Sequence, residues 1–160
     1  MVCMTTITET RWLDTEQQRI WRTFLGGTTV LIDKLDRDLR AGHGLSMPEY
    51  EILVRLSEAP DRAIRMSELA AAVAHSRSRV THTIARLERE GIVVRGQCVE
   101  DGRGVSAVLT DHGFSILEAA AHTHVSGVRA AFIDSATPED LIALGRVFEQ
   151  VLSVLQGKRF

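Results

Sequence analysis

The switch in hydrophobic period in the middle of the chain constrains its fold more than any other feature. Apolar residues follow a helical period over residues 68–74 and 77–90, and then take the β-branched pattern of two short strands between Ile92 and Leu109. The turn-forming sequence EDGRG at residues 100–104 separates these strands. Two short helices followed by a hairpin with a basic tip predict a winged helix-turn-helix.

Longer helical patterns lie on both sides of this core. An N-terminal helix over residues 11–42 carries an apolar stripe, and Asp14 and Gln17 near its start have the spacing of a capping box. Two further striped helices fill residues 110–157. We therefore predict a mainly α protein with a small β-hairpin wing. Its winged core, at about residues 45–109, is flanked by these N- and C-terminal helices within a single domain of 160 residues.

Polar residues mark where the other helices begin. Ser46 stands three residues before Glu49, which is again the spacing of a capping box. The expected N-terminal caps are Ser46, Ser67, Ser76, Thr110 and Thr137. Gly91 is expected to end the helix that Ser76 starts.

The basic residues concentrate in the predicted core. The whole chain has a net charge of −2. Residues 62–108 contain eight Arg and five acidic residues, a balance of +3, which leaves −5 for the rest of the chain. A basic middle between acidic ends is compatible with a surface that faces DNA, although many solvated surfaces have the same composition.

The helix predicted over residues 77–90 has two chemically different faces. Val80, Ile84 and Leu87 fall on one side and are expected in the core. The other side and its flanks carry Ser78, Arg79, Thr81, His82, Arg86 and Arg89. Arg can donate two hydrogen bonds to guanine, and hydroxyl or imidazole groups can reach base edges or phosphates. The pattern fits a helix that reads the major groove, and it equally fits an ordinary solvated helix face.

The tip of the hairpin adds a second basic element. Arg103 lies between Gly102 and Gly104, where the backbone can approach a phosphate or the minor groove closely. Asp101 is suitably spaced to form an ion pair with Arg103 and hold it in position. A tight surface turn would also explain these residues, but the order of helix, turn, helix, strand, basic loop and strand favours DNA binding.

Several segments together resemble the MarR family of bacterial regulators, over nearly the whole chain. They are LSMPEY at residues 45–50, MSELA at 66–70, LEREGIVVR at 87–95, and DGRG at 101–104 leading to VLT at 108–110. The most specific of them is the Asp-x-Arg wing, which is followed after a short strand by Leu-Thr and a helix.

The resemblance implies an obligate homodimer with interlocked terminal helices that binds pseudo-palindromic double-stranded DNA, by default as a repressor. Residues 77–86 would lie on the recognition helix and Arg103 at the wing tip. His82 falls where members of the family often carry a residue that contacts a base. We therefore expect DNA contacts from Ser76, Arg77, Ser78, Arg79, Thr81, His82, Arg86 and Arg103, with Asp101 supporting the wing.

The apolar stripes of the terminal helices support a dimer independently. They carry more apolar surface than a small winged-helix core can cover, and an exposed seam of this kind normally finds a partner. The alternative is a monomer in which the terminal helices cover one another.

The resemblance also implies a small-molecule effector, often an anionic aromatic compound, bound between the dimerisation helices and the DNA-binding lobe. Trp21, Arg22, Tyr50 and Arg55 offer aromatic walls and a cation for such a pocket. The alternative is that Trp21 and Tyr50 are core residues and the two arginines lie on the surface.

Redox and metal sensing remain alternatives within the same fold. Some members of the family sense peroxide through a Cys near the first helix. Here Cys3 precedes the first predicted helix, and Cys98 lies on a wing strand where oxidation would disturb DNA contact. The six His include no pair at positions i and i+4, so we predict no metal and no other cofactor.

The known catalytic motifs are missing from the sequence. We find no nucleophile elbow, P-loop, zincin helix or Rossmann glycine pattern, and we predict that the chain is not an enzyme. A protein-interaction module that does not bind DNA remains a further alternative, although it leaves the outward arginines without a role. No apolar run approaches the roughly 18 residues that a membrane helix needs. We expect a cytoplasmic protein without a membrane partner.

Overall fold

The computed structural model describes residues 10–72, 77–97 and 104–156. This part of the chain forms six α-helices and a three-stranded antiparallel sheet. The helices are α1 (Thr15–His43), α2 (Met47–Glu58), α3 (Met66–Ala72), α4 (Arg77–Arg89), α5 (Asp111–Ala131) and α6 (Pro138–Gln156). The strands are β1 (Ala63–Arg65), β2 (Val93–Gln97) and β3 (Val105–Leu109). The predicted fold class, mainly α with a small β-wing, is confirmed.

Hydrogen bonds at the helix starts confirm the predicted caps of α1, α2 and α5, and those of α1 and α2 are reciprocal. The carboxylate of Asp14 accepts a 2.8 Å bond from the N–H of Gln17, whose side chain accepts from the N–H of Asp14. Ser46 and Glu49 form the same capping box at the start of α2. Thr110 Oγ1 accepts from a backbone N–H in the first turn of α5. Each such cap is worth about 1 kcal/mol.

Two local predictions are wrong. α3 begins at Met66, so Ser67 lies inside this helix instead of capping it. The sequence pattern also misses β1, because a strand of three residues is too short to show an alternation of apolar and polar positions. β1 pairs with β3, so the hairpin is part of a three-stranded sheet.

The predicted hairpin consists of β2 and β3, with β3 in the middle of the sheet between β1 and β2. Gln97 at the end of β2 pairs with Val105 at the start of β3. Residues 98–104 therefore connect the end of β2 to the start of β3. Residues 98–103 of that connection lie outside the described residues.

The core forms where α2, α4 and the sheet meet. Val80, Ile84 and Leu87 of α4 are buried, which confirms the predicted apolar face of this helix. They belong to one cluster with Leu53 and Leu56 of α2. Because full burial of such a side chain stabilises the fold by about 1.5–3 kcal/mol, this cluster fixes which side of α4 faces outwards.

α1 packs along α5, and only its C-terminal part is buried. Leu35 and Leu39 lie in the interior. Gly127 of α5 allows the close approach, since a Cβ there would lie 3.0 Å from Leu35 Cδ2. Towards the other end of α1, Ile20 and Trp21 are more than half exposed.

α6 leaves much of its apolar surface uncovered. Val154 is 82 % exposed, and several of its apolar neighbours on α6 are also exposed: Ile142, Val147, Phe148, Val151 and Leu155. Phe148 does contact α1, where its ring lies 5.5 Å from the ring of Phe24, centroid to centroid. Within residues 10–72, 77–97 and 104–156, these side chains of α6 are therefore left largely uncovered.

Candidate nucleic-acid interface

α4 presents a polar face on the side away from the core. Ser78, Arg79, Thr81 and His82 are all exposed, whereas Val80 between them is 1 % exposed. Residues 78 and 82 are one turn apart, so their side chains lie on the same face of the helix. The structure therefore brings four of the predicted contact residues together on one surface.

Other predicted contact residues are only partly described. Arg77 is the first residue of α4. Ser76, Asp101 and Arg103 lie outside the described residues, and so does Cys98 on the same connection. The DNA contacts of these residues and the supporting role of Asp101 stay predictions.

Arg86 lies on α4 two turns after Ser78, but its guanidinium has partners within the chain. Its Nε donates to the carboxylate of Glu49 on α2. Its other nitrogens donate to Glu90 at 2.8 Å and to the carbonyl of Gly44 at 3.3 Å. The DNA contact predicted for Arg86 stays untested. In the structure its guanidinium contacts α2, the residue that ends α1, and Glu90 just after α4.

The end of α4 is tied to the hairpin through a glycine turn. Gly91 has φ +70°, in the left-handed region that favours glycine. The N–H of Ile92 donates to the carbonyl of Leu87 at 3.0 Å. Thr110 Oγ1, just after β3, donates to the carbonyl of Gly91 at 2.8 Å. These bonds fix the hairpin relative to α4, as a helix and wing that act together require.

This arrangement of helices and wing is matched by known proteins. A sequence model of the MarR family matches residues 45–105. The chain is 32 % identical over 114 residues to the HTH-type transcriptional repressor YetL of Bacillus subtilis strain 168, an alignment that covers 69 % of this chain and 68 % of YetL. The chain belongs to the MarR family.

Two solved structures of MarR family regulators from Streptomyces coelicolor are very similar to this one. AbsC has a TM-score of 0.87 and 43 % identity, over 93 % of this chain and 100 % of that of AbsC. Sco3205, which was crystallised in complex with DNA, has a TM-score of 0.86 and 42 % identity, over 91 % of this chain and 92 % of its own. The sequence resemblance is thus confirmed, and so is the prediction that this MarR family protein is a transcriptional regulator and not an enzyme.

The four residues predicted for an effector site of this regulator lie in two places. Tyr50 and Arg55 border one groove of about 370 Å³ on α2, whose lining also includes Val54. Trp21 and Arg22 lie near the start of α1 and do not border that groove. Tyr50 is largely buried and Trp21 is half exposed, so only Tyr50 fits the alternative of a core residue.

Trp21 and Arg22 are engaged with their own helix. The ring of Trp21 stacks on that of Phe24, with the centroids 5.7 Å apart. Arg22 donates a 3.3 Å hydrogen bond to Gln18. Trp21 and Arg22 therefore do not form one site with Tyr50 and Arg55 in the structure.

Tyr50 packs against a histidine of α5. The ring of His124 on α5 lies 4.6 Å from the ring of Tyr50, centroid to centroid. Burial raises the pKa of the Tyr50 hydroxyl and lowers the pKa of His124. The only signal in the sequence is the position of His124 in the apolar stripe of its helix, which predicts that the imidazole turns inwards.

The described residues show no metal centre. Among residues 10–72, 77–97 and 104–156, no group of three or more His, Cys, Asp or Glu is close enough to hold an ion. None of the helices in this part of the chain has the length and apolar character needed to cross a membrane.

Proposed function

We propose that this MarR family regulator binds double-stranded DNA sequence-specifically, with α4 in the major groove and the tip of the β2–β3 hairpin against the adjacent minor groove. The observation that carries the proposal is the exposed polar face of α4, with Ser78, Arg79, Thr81 and His82 opposite the buried Val80 edge. An arginine with hydroxyl and imidazole groups beside it has the donors and acceptors that discriminate base pairs in that groove.

The chemistry of the hairpin tip supports the same proposal. Arg103, between two glycines, has the side chain that a narrow minor groove attracts. Sco3205, 42 % identical to this chain, was crystallised with DNA. At that identity the overall docking geometry is expected to be shared, whereas the bases contacted depend on individual side chains such as His82.

A homodimer follows from the uncovered apolar surfaces. Two of the exposed apolar side chains, Ile20 of α1 and Phe148 of α6, border a groove of about 660 Å³, whose lining also includes Phe24, Leu31, Phe132 and Leu144. A second copy of the chain is the occupant we propose, because the same helices of a second copy carry matching apolar faces. A two-fold dimer presents two α4 helices and therefore reads a pseudo-palindromic operator.

The proposed role is repression, in the cytoplasm, by occupation of a promoter. YetL, to which the chain is 32 % identical, is named a transcriptional repressor. We further propose that a small anionic aromatic effector relieves repression by binding the groove of Tyr50 and Arg55. Tyr50 offers an aromatic wall and Arg55 a cation, beside the carboxylates of Glu51 and Glu58, and the groove volume of about 370 Å³ suits a small ring compound.

Fluorescence anisotropy tests the DNA-binding proposal. Duplexes are first enriched from a random-sequence library by the wild-type protein, and binding is then compared with scrambled duplexes of the same composition at several salt concentrations. We expect the enriched duplex to bind at least ~10³-fold tighter than its scrambled control, with a steep salt dependence. Equal affinity for both duplexes at every salt concentration contradicts sequence-specific binding.

A further inference from the structure

Glu49 is a nearly buried residue at the start of α2, and both of its carboxylate oxygens accept hydrogen bonds. Glu49 as a whole residue is only 7 % exposed. Oε2 accepts from the N–H and the hydroxyl of Ser46, at 2.8 and 2.7 Å. Oε1 accepts from Nε of Arg86, which lies 37 residues further along the chain on α4. Glu49, which completes the capping box of α2, therefore also binds α4 through Arg86.

The charge on Glu49 is maintained by these partners. Burial raises its pKa, but the hydrogen bonds from Arg86 and Ser46 outweigh burial and bring the pKa below the ordinary value. A carboxylate in such a position is costly unless it is paired, so the Arg86 guanidinium cannot leave without a penalty.

The first turn of α2, which carries Glu49, is itself hydrogen-bonded to α1. The N–H of Met47, at the start of α2, donates a 2.7 Å hydrogen bond to Asp36 of α1. The other oxygen of Asp36 accepts from Arg40 at 2.6 Å. Polar bonds thus join α1 to the first residue of α2, and the first turn of α2 to α4.

Arg86 belongs to the same stripe of α4 as the residues proposed to read DNA. Ser78, His82 and Arg86 follow one another at intervals of four residues, so they lie along one side of the helix. Rotation of α4 about its axis would move all three side chains together. The bond between Glu49 and Arg86 therefore fixes the direction in which Ser78 and His82 point.

We propose that Glu49 is a positioning residue for DNA recognition, and that through Arg86 it fixes the orientation in which α4 presents Ser78 and His82. The proposal rests on the proposed function, in which α4 reads the major groove. It gives Arg86 a role within the fold in place of a direct contact with DNA.

The sign of the effect of E49Q separates this proposal from simple electrostatics. Removal of an acidic group near the DNA-binding surface should tighten binding, since it lessens repulsion of the phosphates. Loss of the hold on α4 should instead weaken binding to the enriched duplex, by about tenfold, as expected for one charge-assisted hydrogen bond. Binding to the scrambled duplex should stay within about twofold of wild type.

E90Q is the matched control. Glu90 also pairs with Arg86, at 2.8 Å, but it directly follows the last residue of α4 and is more exposed than Glu49. The substitution removes the same charge next to the same guanidinium without releasing α4 from α2. We expect E90Q to bind the enriched duplex as tightly as wild type or slightly tighter.

R86Q and the double variant E49Q/R86Q complete the test. If the two residues act as one unit, the double variant binds the enriched duplex no more weakly than R86Q alone. If Arg86 contacts DNA itself, R86Q weakens binding while E49Q behaves like E90Q, and the proposal is overturned.

Hydrogen–deuterium exchange tests the hold on α4 without DNA. Amides of residues 77–89 should exchange faster in E49Q and R86Q than in wild type and E90Q, while the far-ultraviolet circular dichroism stays unchanged. Equal exchange in E49Q and E90Q overturns the proposal. If the wild-type protein enriches no duplex, the proposed function fails, and the exchange result still decides whether Glu49 holds α4.

Discussion

The rings of Tyr50 on α2 and His124 on α5 contact each other, with their centroids 4.6 Å apart and their planes tilted by 36°. Nδ1 of His124 is buried and has no hydrogen-bond partner among the residues that the structure describes. Burial lowers the pKa of His124 below its ordinary value of 6.5, because the imidazolium is poorly solvated there. We therefore expect protonation of His124 to weaken the contact between α2 and α5.

We expect the free energy of unfolding to fall as the solution is acidified. The folded chain binds this proton less readily than the unfolded chain, so the contribution of His124 is complete above about pH 6.5 and is lost as the pH falls through the lowered pKa. Urea unfolding at about pH 7.5 and about pH 5.5 measures the difference. H124F should reduce it, whereas H122Q, on the exposed side of the same helix, should leave it unchanged. An H124F protein with the full wild-type pH dependence would assign the effect to other groups.

Gly113, in the first turn of α5, has no room for a side chain. A Cβ there would lie 2.2 Å from the carbonyl oxygen of Ile92 and 2.7 Å from Leu109 Cδ1. The Ile92 oxygen belongs to the backbone next to β2 and cannot move away without disturbing the hairpin. We expect G113A to lower the free energy of unfolding by about 3 kcal/mol or more.

Chemical denaturation checks the Gly113 prediction. Gly42, near the end of α1, is the control, because a Cβ at that position meets no atom within 4 Å. G42A should leave stability unchanged or raise it by up to about 1 kcal/mol. Similar stabilities for G113A and G42A would mean that α5 can shift away from Ile92 at little cost.

The sequence predicts those parts of the fold that local chemistry determines. Asp14, Ser46 and Thr110 cap helices because their oxygens bond to N–H groups only a few residues away. The two faces of α4 are visible in the spacing of Val80 and Ile84. Contacts between residues so close in sequence can be predicted without knowing how the helices pack.

The interactions between distant segments are not predictable in this way. Glu49 is recognisable from its spacing as a capping residue, but nothing near it indicates that Arg86 supplies its second partner. In the same way, the pairing of Tyr50 with His124 depends on how α2 crosses α5. A helical wheel places Arg86 on the polar side of α4, but it does not contain the tertiary contact with Glu49 that this side chain makes.

Val154 tests the proposed dimer, since it is 82 % exposed on α6. A carboxylate there is harmless in a monomer but is buried without a partner in a dimer that uses this face. We expect V154E to dissociate the dimer at micromolar concentrations, as measured by sedimentation equilibrium. E149K, which changes an exposed side chain on the opposite side of α6, is the control and should remain dimeric. A dimeric V154E protein would place the interface elsewhere.

Arg103 is expected to contact a phosphate or the minor groove, without a preference for one sequence. R103A should weaken binding to the enriched and the scrambled duplex by similar factors. It should also lower the slope of log affinity against log salt by about 1, which corresponds to one lost phosphate contact. R146A, an exposed position on α6, is the control and should keep the wild-type slope. An unchanged slope in R103A would remove the wing tip from the contact surface.

His82 is expected to affect which sequence is bound more than how tightly DNA is bound. It is exposed on α4, one turn after Ser78, and its imidazole can accept from or donate to a base edge. Duplexes enriched by H82A should lose their preference at one position in each half-site, a change of about 1–3 kcal/mol in discrimination. Affinity for the scrambled duplex should stay unchanged, and H122A on α5 should enrich the same sequences as wild type. If H82A enriches the wild-type sequence with undiminished preference at every position, His82 does not read a base, and the specificity of α4 must come from Ser78, Arg79 and Thr81.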